Sequence, residues 1–419
     1  MARSFEDGRS ARVGPAAAWR LIRSRDFGPY FAGNALSSSG TWFQNLAGSL
    51  LVYRLTHSPF LLGILNVAQF GPVLLLAPWT GLAADRFDRR RLLLVTQVVA
   101  ALLSGMFALL AWRGAAEAWV VILFALCAGV TSAFAAPAGG ALIGQLVSRR
   151  DLPSAVALSS MTYNLARAIG PVLAAVTVHA LGIPAAFAIN SASYLALVVA
   201  LAVVHARPQE RPPREESRLG ASLRFVWERP HLLALLLIIT AVGFASDPVN
   251  TEAPAFAHAF GEPDTKAGFI IGVFGAGAVI AALTLAGRVA GSRVRMAVTL
   301  TLLGGGIVAF PLSPWLSLGY VFLFVAGFGY LASNTSATAR LQLGVAESQR
   351  GRIMALWSVA FLGLRPIASF VDGVLAGAFG VRAAGVVLAL PALIAAGLII
   401  RLRDRRLRRA EPATVAPES

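Results

Sequence analysis

The sequence predicts an all-α membrane protein with twelve transmembrane helices in two pseudo-symmetric six-helix bundles. Three observations carry this: an extreme apolar composition, twelve runs long enough to cross a bilayer, and arginines gathered into every second connection. Of 419 residues, 57% are hydrophobic and 13% charged, against about 25% charged in soluble domains. Lipid is the solvent such a surface requires.

A span needs roughly 20 mostly apolar residues. Runs of that kind fall at 27–53, 61–83, 92–112, 119–147, 153–181 and 184–204, then at 232–259, 267–290, 296–310, 315–345, 353–379 and 383–400. Several contain Gly and Pro, which membrane helices tolerate because neighbours re-satisfy the freed backbone groups.

Charge placement gives the orientation. A net charge of +16 would suit a nucleic-acid binder if it lay on one polar face. Here the basic residues form short clusters between apolar runs, so no nucleic-acid partner is expected. With the N-terminus inside, 30 of the 36 basic residues lie in cytoplasmic segments. Arg54, Arg113, Lys266 and Arg382 lie outside, and Arg167 and Arg365 fall within spans. That asymmetry predicts both termini in the cytoplasm and a multi-pass protein of the bacterial inner membrane. Residues 1–26 contain no apolar core followed by a small-residue cleavage site, so no cleaved signal peptide is expected.

The longest polar stretch sets the domain plan: N-terminus 1–26, six-helix bundle 27–204, central loop 205–230, second bundle 231–400 and basic tail 401–419. The loop opens as a proline- and charge-rich linker. It ends with Leu219, Leu223, Val226 and Trp227 on one helical face, the pattern of an amphipathic helix on the inner surface. The halves are related. An offset of 198 aligns Val156–Ser160 with Met354–Ser358, Arg167 with Arg365, and Ala128-Gly129 with Ala326-Gly327. Farther upstream an offset of 205 aligns Leu62–Ile64 with Ala267–Phe269. Parallel repeats of this kind occur in transporters that rock about a midplane site.

Enzyme chemistry finds no support. Cys127 is the single cysteine, the five histidines are scattered, and no metal-ligand spacing exists. No phosphate-binding GxxxxGK[ST] and no nucleophile–base pair stands out. No metal and no cofactor are expected.

The strongest local signal is Gly-Leu-Ala-Ala-Asp-Arg-Phe-Asp-Arg-Arg-Arg at 81–91, between the second and third spans. Gly81 suits close helix approach. Asp85 is placed to meet the positive N-terminal end of a neighbouring helix. Arg89 and its neighbours can pair with acids or anionic headgroups. Together Gly81 and Asp85 read as a conformational latch. This segment resembles the loop motif of the major facilitator superfamily, GxLaDrxGRRxx, with Asp88 where that family usually has glycine, so a different turn is expected there. The stretches 55–63, 164–171, 222–227 and 351–357 resemble the branch that holds the enterobactin exporter and macrolide efflux proteins. Gly170-Pro171 is similar to the superfamily's antiporter motif, GxxxGPxxGG, with Ala166, Ala174 and Ala175 replacing its flanking glycines. The resemblance implies that spans one, four, seven and ten line the central site.

Charges inside the membrane are costly and mark functional candidates. Arg167 and Arg365 occupy equivalent places in the halves, satisfied by carbonyls and nearby acids or acting in anion attraction or gating. Asp372 shares a helix face with Arg365, seven residues away. In the seventh span, Asp247 precedes Pro248, which favours a break in the helix. Asp247 is the first candidate for proton coupling and Asp372 the second, because an acid held away from water can exchange a proton during a cycle. Glu252 is expected to be a cap or a water-exposed acid near the outer surface. In the first span Asn34, Ser38, Thr41 and Asn45 form a polar stripe, which either lines the substrate cavity or bonds to other helices. Gln69, Asn334 and Trp357 are candidates for the same cavity.

These readings converge on a monomeric secondary exporter of amphipathic small molecules, drug- or siderophore-like. It would exchange protons with the proton gradient as energy source, contact membrane lipids, and work by alternating access. An uptake or exchange carrier for an anionic metabolite or lysolipid is the alternative. A non-transporting receptor or scaffold is the third, and it would need a larger soluble region than the central loop provides.

Overall fold

The computed structural model describes residues 15–148, 150–208, 224–285, 293–345 and 349–410. The N-terminal arginines before residue 15, Arg149, nearly all of the linker, the first part of the expected amphipathic helix and the end of the basic tail lie outside the described residues. Of that helix, residues 224–227 are helical, with Val226 buried and Trp227 77% exposed, so the two do not share a packed face.

Every described element is helical. In chain order they are α1 (Pro15–Ile22), α2 (Phe27–Thr56), α3 (Pro59–Leu75), α4 (Ala77–Arg86), α5 (Arg89–Trp112), α6 (Ala118–Leu146), α7 (Leu152–Leu181) and α8 (Ile183–Val203). There follow α9 (Pro230–Thr251), α10 (Ala253–Ala259), α11 (Ala267–Leu285), α12 (Arg293–Leu312), α13 (Leu316–Leu343), α14 (Arg350–Ser358), α15 (Arg365–Phe379) and α16 (Val381–Ala410). A π-helical turn, Val359–Gly363, joins α14 to α15. The chain forms two compact units, Met1–Glu216 with Pro263–Gly272 and Ser217–Glu262 with Val273–Ser419.

Among the described residues, ten helices are long and apolar enough to cross a membrane. The second expected span is not straight. It breaks into α3 and α4, bent by 55° between Leu75 and Ala77, and counts as an eleventh crossing if the pair is one span. The break has an identifiable cause, since Pro72 and Pro78 each remove a backbone donor around it. With 30 residues, α2 is roughly 45 Å long. Its asparagines, glutamine and serines keep it below the apolarity of the other ten. The N-terminal segment, read from sequence only as polar, contains α1, which buries Leu21, exposes Trp19 and pairs Arg20 with Asp151 at 2.8 Å.

Large apolar side chains face outward along the spans, among them Leu102, Leu109, Val199 and Leu283. Lipid is as apolar as leucine, so burial between helices supplies little drive. Close packing at small residues and interhelical hydrogen bonds hold the helices together instead. Gly129 on α6 is one such point: a Cβ there would collide with the carbonyl of Gln69 on α3. Gly327 on α13 is another, where a Cβ would collide with the carbonyl of Phe274 on α11. The sequence offsets of 198 and 205 carry the first contact onto the second, residue for residue.

Candidate functional site

In the second unit, α9 and α15 bring a charged cluster into the protein interior. Asp247 lies on α9 one residue before Pro248, and α9 continues through the proline to Thr251 before yielding to α10 at Glu252. Asp247, Glu252 and Asp372 are all buried, the last two completely. Asp247 is well supplied with partners. Ser369 Oγ donates to its Oδ1 at 3.0 Å, Thr251 Oγ1 donates to its Oδ2 at 2.9 Å, and Arg365 Nε lies 3.9 Å from Oδ1. Glu252 and Asp372 lie within electrostatic reach of Asp247, yet none of their four carboxyl oxygens has a hydrogen-bond partner among the described residues. Glu252 occupies the N-cap position of α10, but its side chain makes no cap bond, and it is fully buried rather than water-exposed.

Local backbone geometry aims Arg365 at this cluster. The preceding π-helical turn closes with Leu364 N–H donating to Val359 O at 3.0 Å, and Pro366 then lacks a backbone donor. Thr240 Oγ1 on α9 donates to Ala360 O at 3.3 Å, bonding a carbonyl inside the irregular turn. Single π turns recur at functional sites. Nearby, Trp357 Nε1 donates to Thr338 Oγ1 at 2.8 Å and its ring stacks on Phe361. Asn334 lies one turn from Thr338 on α13, and its buried Oδ1 has no hydrogen-bond partner among the described residues.

The first unit contains a polar network where the sequence suggested a stripe. Ser37 Oγ donates to Gln97 Oε1 at 3.0 Å, and Gln44 Oε1 accepts from Ser104 Oγ at 2.6 Å and Asn190 Nδ2 at 2.7 Å. Thr41 and Tyr194 share a hydrogen bond of 3.0 Å. Along α2 and α5 the partners advance together, from Ser37–Gln97 to Gln44–Ser104, so these helices run parallel. Between α2 and α8 the order reverses, and those helices are antiparallel. Asn45 and Gln69 meet, together with Gln44, around a cavity of about 20 Å³ lined otherwise by apolar side chains. That is room for a single water molecule, far below the several hundred Å³ of a drug-sized site. Asn34 and Ser38 are half-buried on the same helix.

At the motif loop, Asp88 Oδ1 accepts from Arg91 N–H at 2.8 Å and caps α5. The turn needs no glycine, because Asp88 sits at φ −60°. Arg89 Nη2 lies 3.8 Å from Asp85 Oδ1, and Asp85 is 62% exposed. Arg90, which sequence placed only in the inner charge cluster, donates to Leu201 O at 2.6 Å and Ala202 O at 2.8 Å and so caps the end of α8. The close approach expected at Gly81 is not made: a Cβ there would meet no described atom within 4 Å. Gly170 does sit at one, since its Cβ would lie 3.1 Å from Ser39 O and 3.2 Å from Phe43 N. Pro171 follows it inside α7. Arg167 lies over the Trp42 ring, 5.7 Å from its centroid.

Residues 16–418 match the family described as Transmembrane secretion effector, of the major facilitator type. The chain belongs to that family. It is a transporter of the major facilitator superfamily, a multi-pass membrane protein and not an enzyme. The enterobactin exporter EntS of Shigella boydii is 25% identical over 94% of this chain and 96% of that protein. The staphyloferrin A transporter of Staphylococcus aureus is also 25% identical, over 51% of this chain, and the match spans about half of that relative, 54%. Among solved structures, a bacterial homologue of the human lysosomal transporter Spinster aligns with TM-score 0.73 at 13% identity, covering 96% of this chain and 100% of the other.

On this transporter, then, Asp247, Asp372 and Arg365 come together, Asn45 joins Gln69, and Asn334 lies near Trp357. Sequence reasoning missed Glu252 as a cluster member and Ser37, Gln44, Gln97, Ser104, Asn190 and Tyr194 as a network. A signal for the network existed, since Ser37–Gln44 and Gln97–Ser104 are both seven-residue pairs at one common offset.

Proposed function

We propose that this transporter is a secondary active exporter of amphipathic small molecules, siderophore- or drug-like, driven by the proton gradient. It works by alternating access as a monomer in the bacterial inner membrane, with both termini cytoplasmic. The ten apolar helices, the bent α3–α4 pair and α2 then make twelve spans in two six-helix bundles. The repeated Gly129 and Gly327 contacts support a duplicated architecture, and the enterobactin exporter relative supports efflux of a siderophore-like solute.

The observation that carries proton coupling is the buried cluster of three acids, one of them, Asp247, facing Arg365. A desolvated, unpaired charge costs several kcal/mol, so such a cluster favours one packing when proton-loaded and another when empty. Only a difference of that kind can move a conformational equilibrium.

Everted membrane vesicles test the reading. Uptake of a panel of dyes, macrolides and catechol siderophores is followed with and without a protonophore, in wild type and Asp247→Asn. Protonophore-sensitive uptake that the variant loses is expected. Solute movement indifferent to the protonophore would overturn proton-driven export in favour of the uptake or exchange carrier.

A further inference from the structure

The cluster on α9 and α15 does not treat its three acids alike. Asp247 receives two hydroxyl hydrogen bonds and faces the Arg365 guanidinium, an environment built for a carboxylate anion. Glu252 and Asp372 receive no donor, and both are wholly enclosed. The hydroxyl hydrogens of Ser369 and Thr251 are already committed to Asp247. Two more bare carboxylates beside Asp247 would add like-charge repulsion to desolvation, with one arginine to offset three negative charges. Among the described residues no three such groups are disposed to hold a metal ion. A neutral carboxylic acid is the form of Glu252 and Asp372 that this packing accepts.

Other ionisable groups come from the elements packed on α9. Among the described side chains they are Tyr320, Tyr330 and Arg340 on α13, Arg382 and the exposed Arg401 on α16, His258 on α10 and Arg295 on α12. None substitutes for the missing donors. Tyr330 packs on Phe274 and Phe361, Arg382 donates to Ala259 O, and His258 is exposed. Gly344, just past α13, touches Leu232 at the start of α9, so Arg340 is at the far end of α9 from Asp247. Arg295 lies in the first turn of α12, beside the arginine-rich loop.

We propose that the exchangeable protons of this cluster are held by Glu252 and Asp372, one each, while Asp247 is the fixed counter-ion of Arg365. This rests on the proton-coupled reading above for its place in the cycle. Each step is a simple ionisation, carboxylic acid to carboxylate with release of one proton. Loss of both protons leaves two new buried anions repelling Asp247, the counter-ion of Arg365. That arginine stands two residues past the π-helical turn and precedes Pro366, where α15 is least constrained by backbone hydrogen bonds. Release of protons at Glu252 and Asp372 therefore draws on the one joint of this helix able to re-aim the guanidinium.

The test reads protonation directly and needs no substrate. Purified wild type, E252Q, D372N and the double variant D247N/R365Q are reconstituted in liposomes. pH-induced infrared difference spectra then follow the carbonyl band of protonated carboxyl groups. Gln and Asn mimic the neutral acids in shape, and the double variant removes the ion pair without leaving a lone buried arginine. The expected result is loss of one band component in E252Q, loss of a different one in D372N, and retention of both in D247N/R365Q. An unchanged spectrum in E252Q and D372N, or loss of a component in D247N/R365Q, overturns the assignment. Failure of proton-driven export itself appears separately, as protonophore-insensitive uptake in the vesicles, and leaves the spectra to decide where the protons sit.

Discussion

Asp88 occupies a motif position where the superfamily usually carries glycine, and it does so by supplying a cap. Its carboxylate accepts the Arg91 N–H, one of the donors that a helix start leaves unsatisfied. Asp88→Ala should cost about 1 kcal/mol of stability and Asp88→Gly only a few tenths. Thermal unfolding of the detergent-purified variants should rank them in that order, and equal losses would mean the cap is not what Asp88 supplies. Gln44 poses a sharper case, since one amide oxygen serves both Ser104 and Asn190. Gln44→Leu should destabilise the protein by roughly 1–3 kcal/mol, the cost of stranding buried polar groups. Asn45→Leu, one residue on and facing the small cavity, should cost less. Unfolding midpoints of the pair check the contrast. The neighbouring positions look alike in sequence, and only packing against α5 and α8 separates them.

At the scale of elements, the helices were legible because apolar length is a strong signal, while their irregularities were not. Pro72 and Pro78 announce a weak point in the second span but leave open whether it bends, and the structure bends it by 55°. The π-helical turn at Val359–Gly363 has no residue signature of its own. It is a shift of backbone register, held by the Pro366 that follows and by Thr240 on a helix more than a hundred residues away. Glu252 was misjudged for a related reason: position near the outer end of a span suggests exposure, but the chain continues there into the buried helix α10 and Glu252 is fully buried. Pro366→Ala restores the missing backbone donor and lets α15 run back toward regular α-helix. Transport turnover should fall while the folded protein becomes no less stable. Vesicle uptake beside thermal unfolding checks this, and unchanged turnover would remove the turn from the mechanism.

At the scale of the whole molecule, the halves carry weak sequence matches in common order, the trace that duplicated halves solving one packing problem would leave. Gly129 and Gly327 each admit a crossing backbone, and the two offsets map one contact onto the other. The latch expected at Gly81 and Asp85 is less readable, since a latch is a difference between states and a sequence describes neither. Asp85 makes it testable. Its carboxylate is mostly exposed and 3.8 Å from Arg89, so little of the local fold depends on its charge. The contact with a helix N-terminus expected of Asp85 in one state would be worth about 0.3–1 kcal/mol, which shifts the ratio of two conformations roughly two- to five-fold. Asp85→Asn should therefore insert in the membrane and unfold like wild type, yet transport more slowly by a factor of that order. Vesicle uptake normalised to the amount of inserted protein measures it. Normal uptake would leave Asp85 a surface acid on a positive loop, and lost insertion would make it a folding determinant; slowed transport by a normally inserted protein is the outcome that a latch alone predicts.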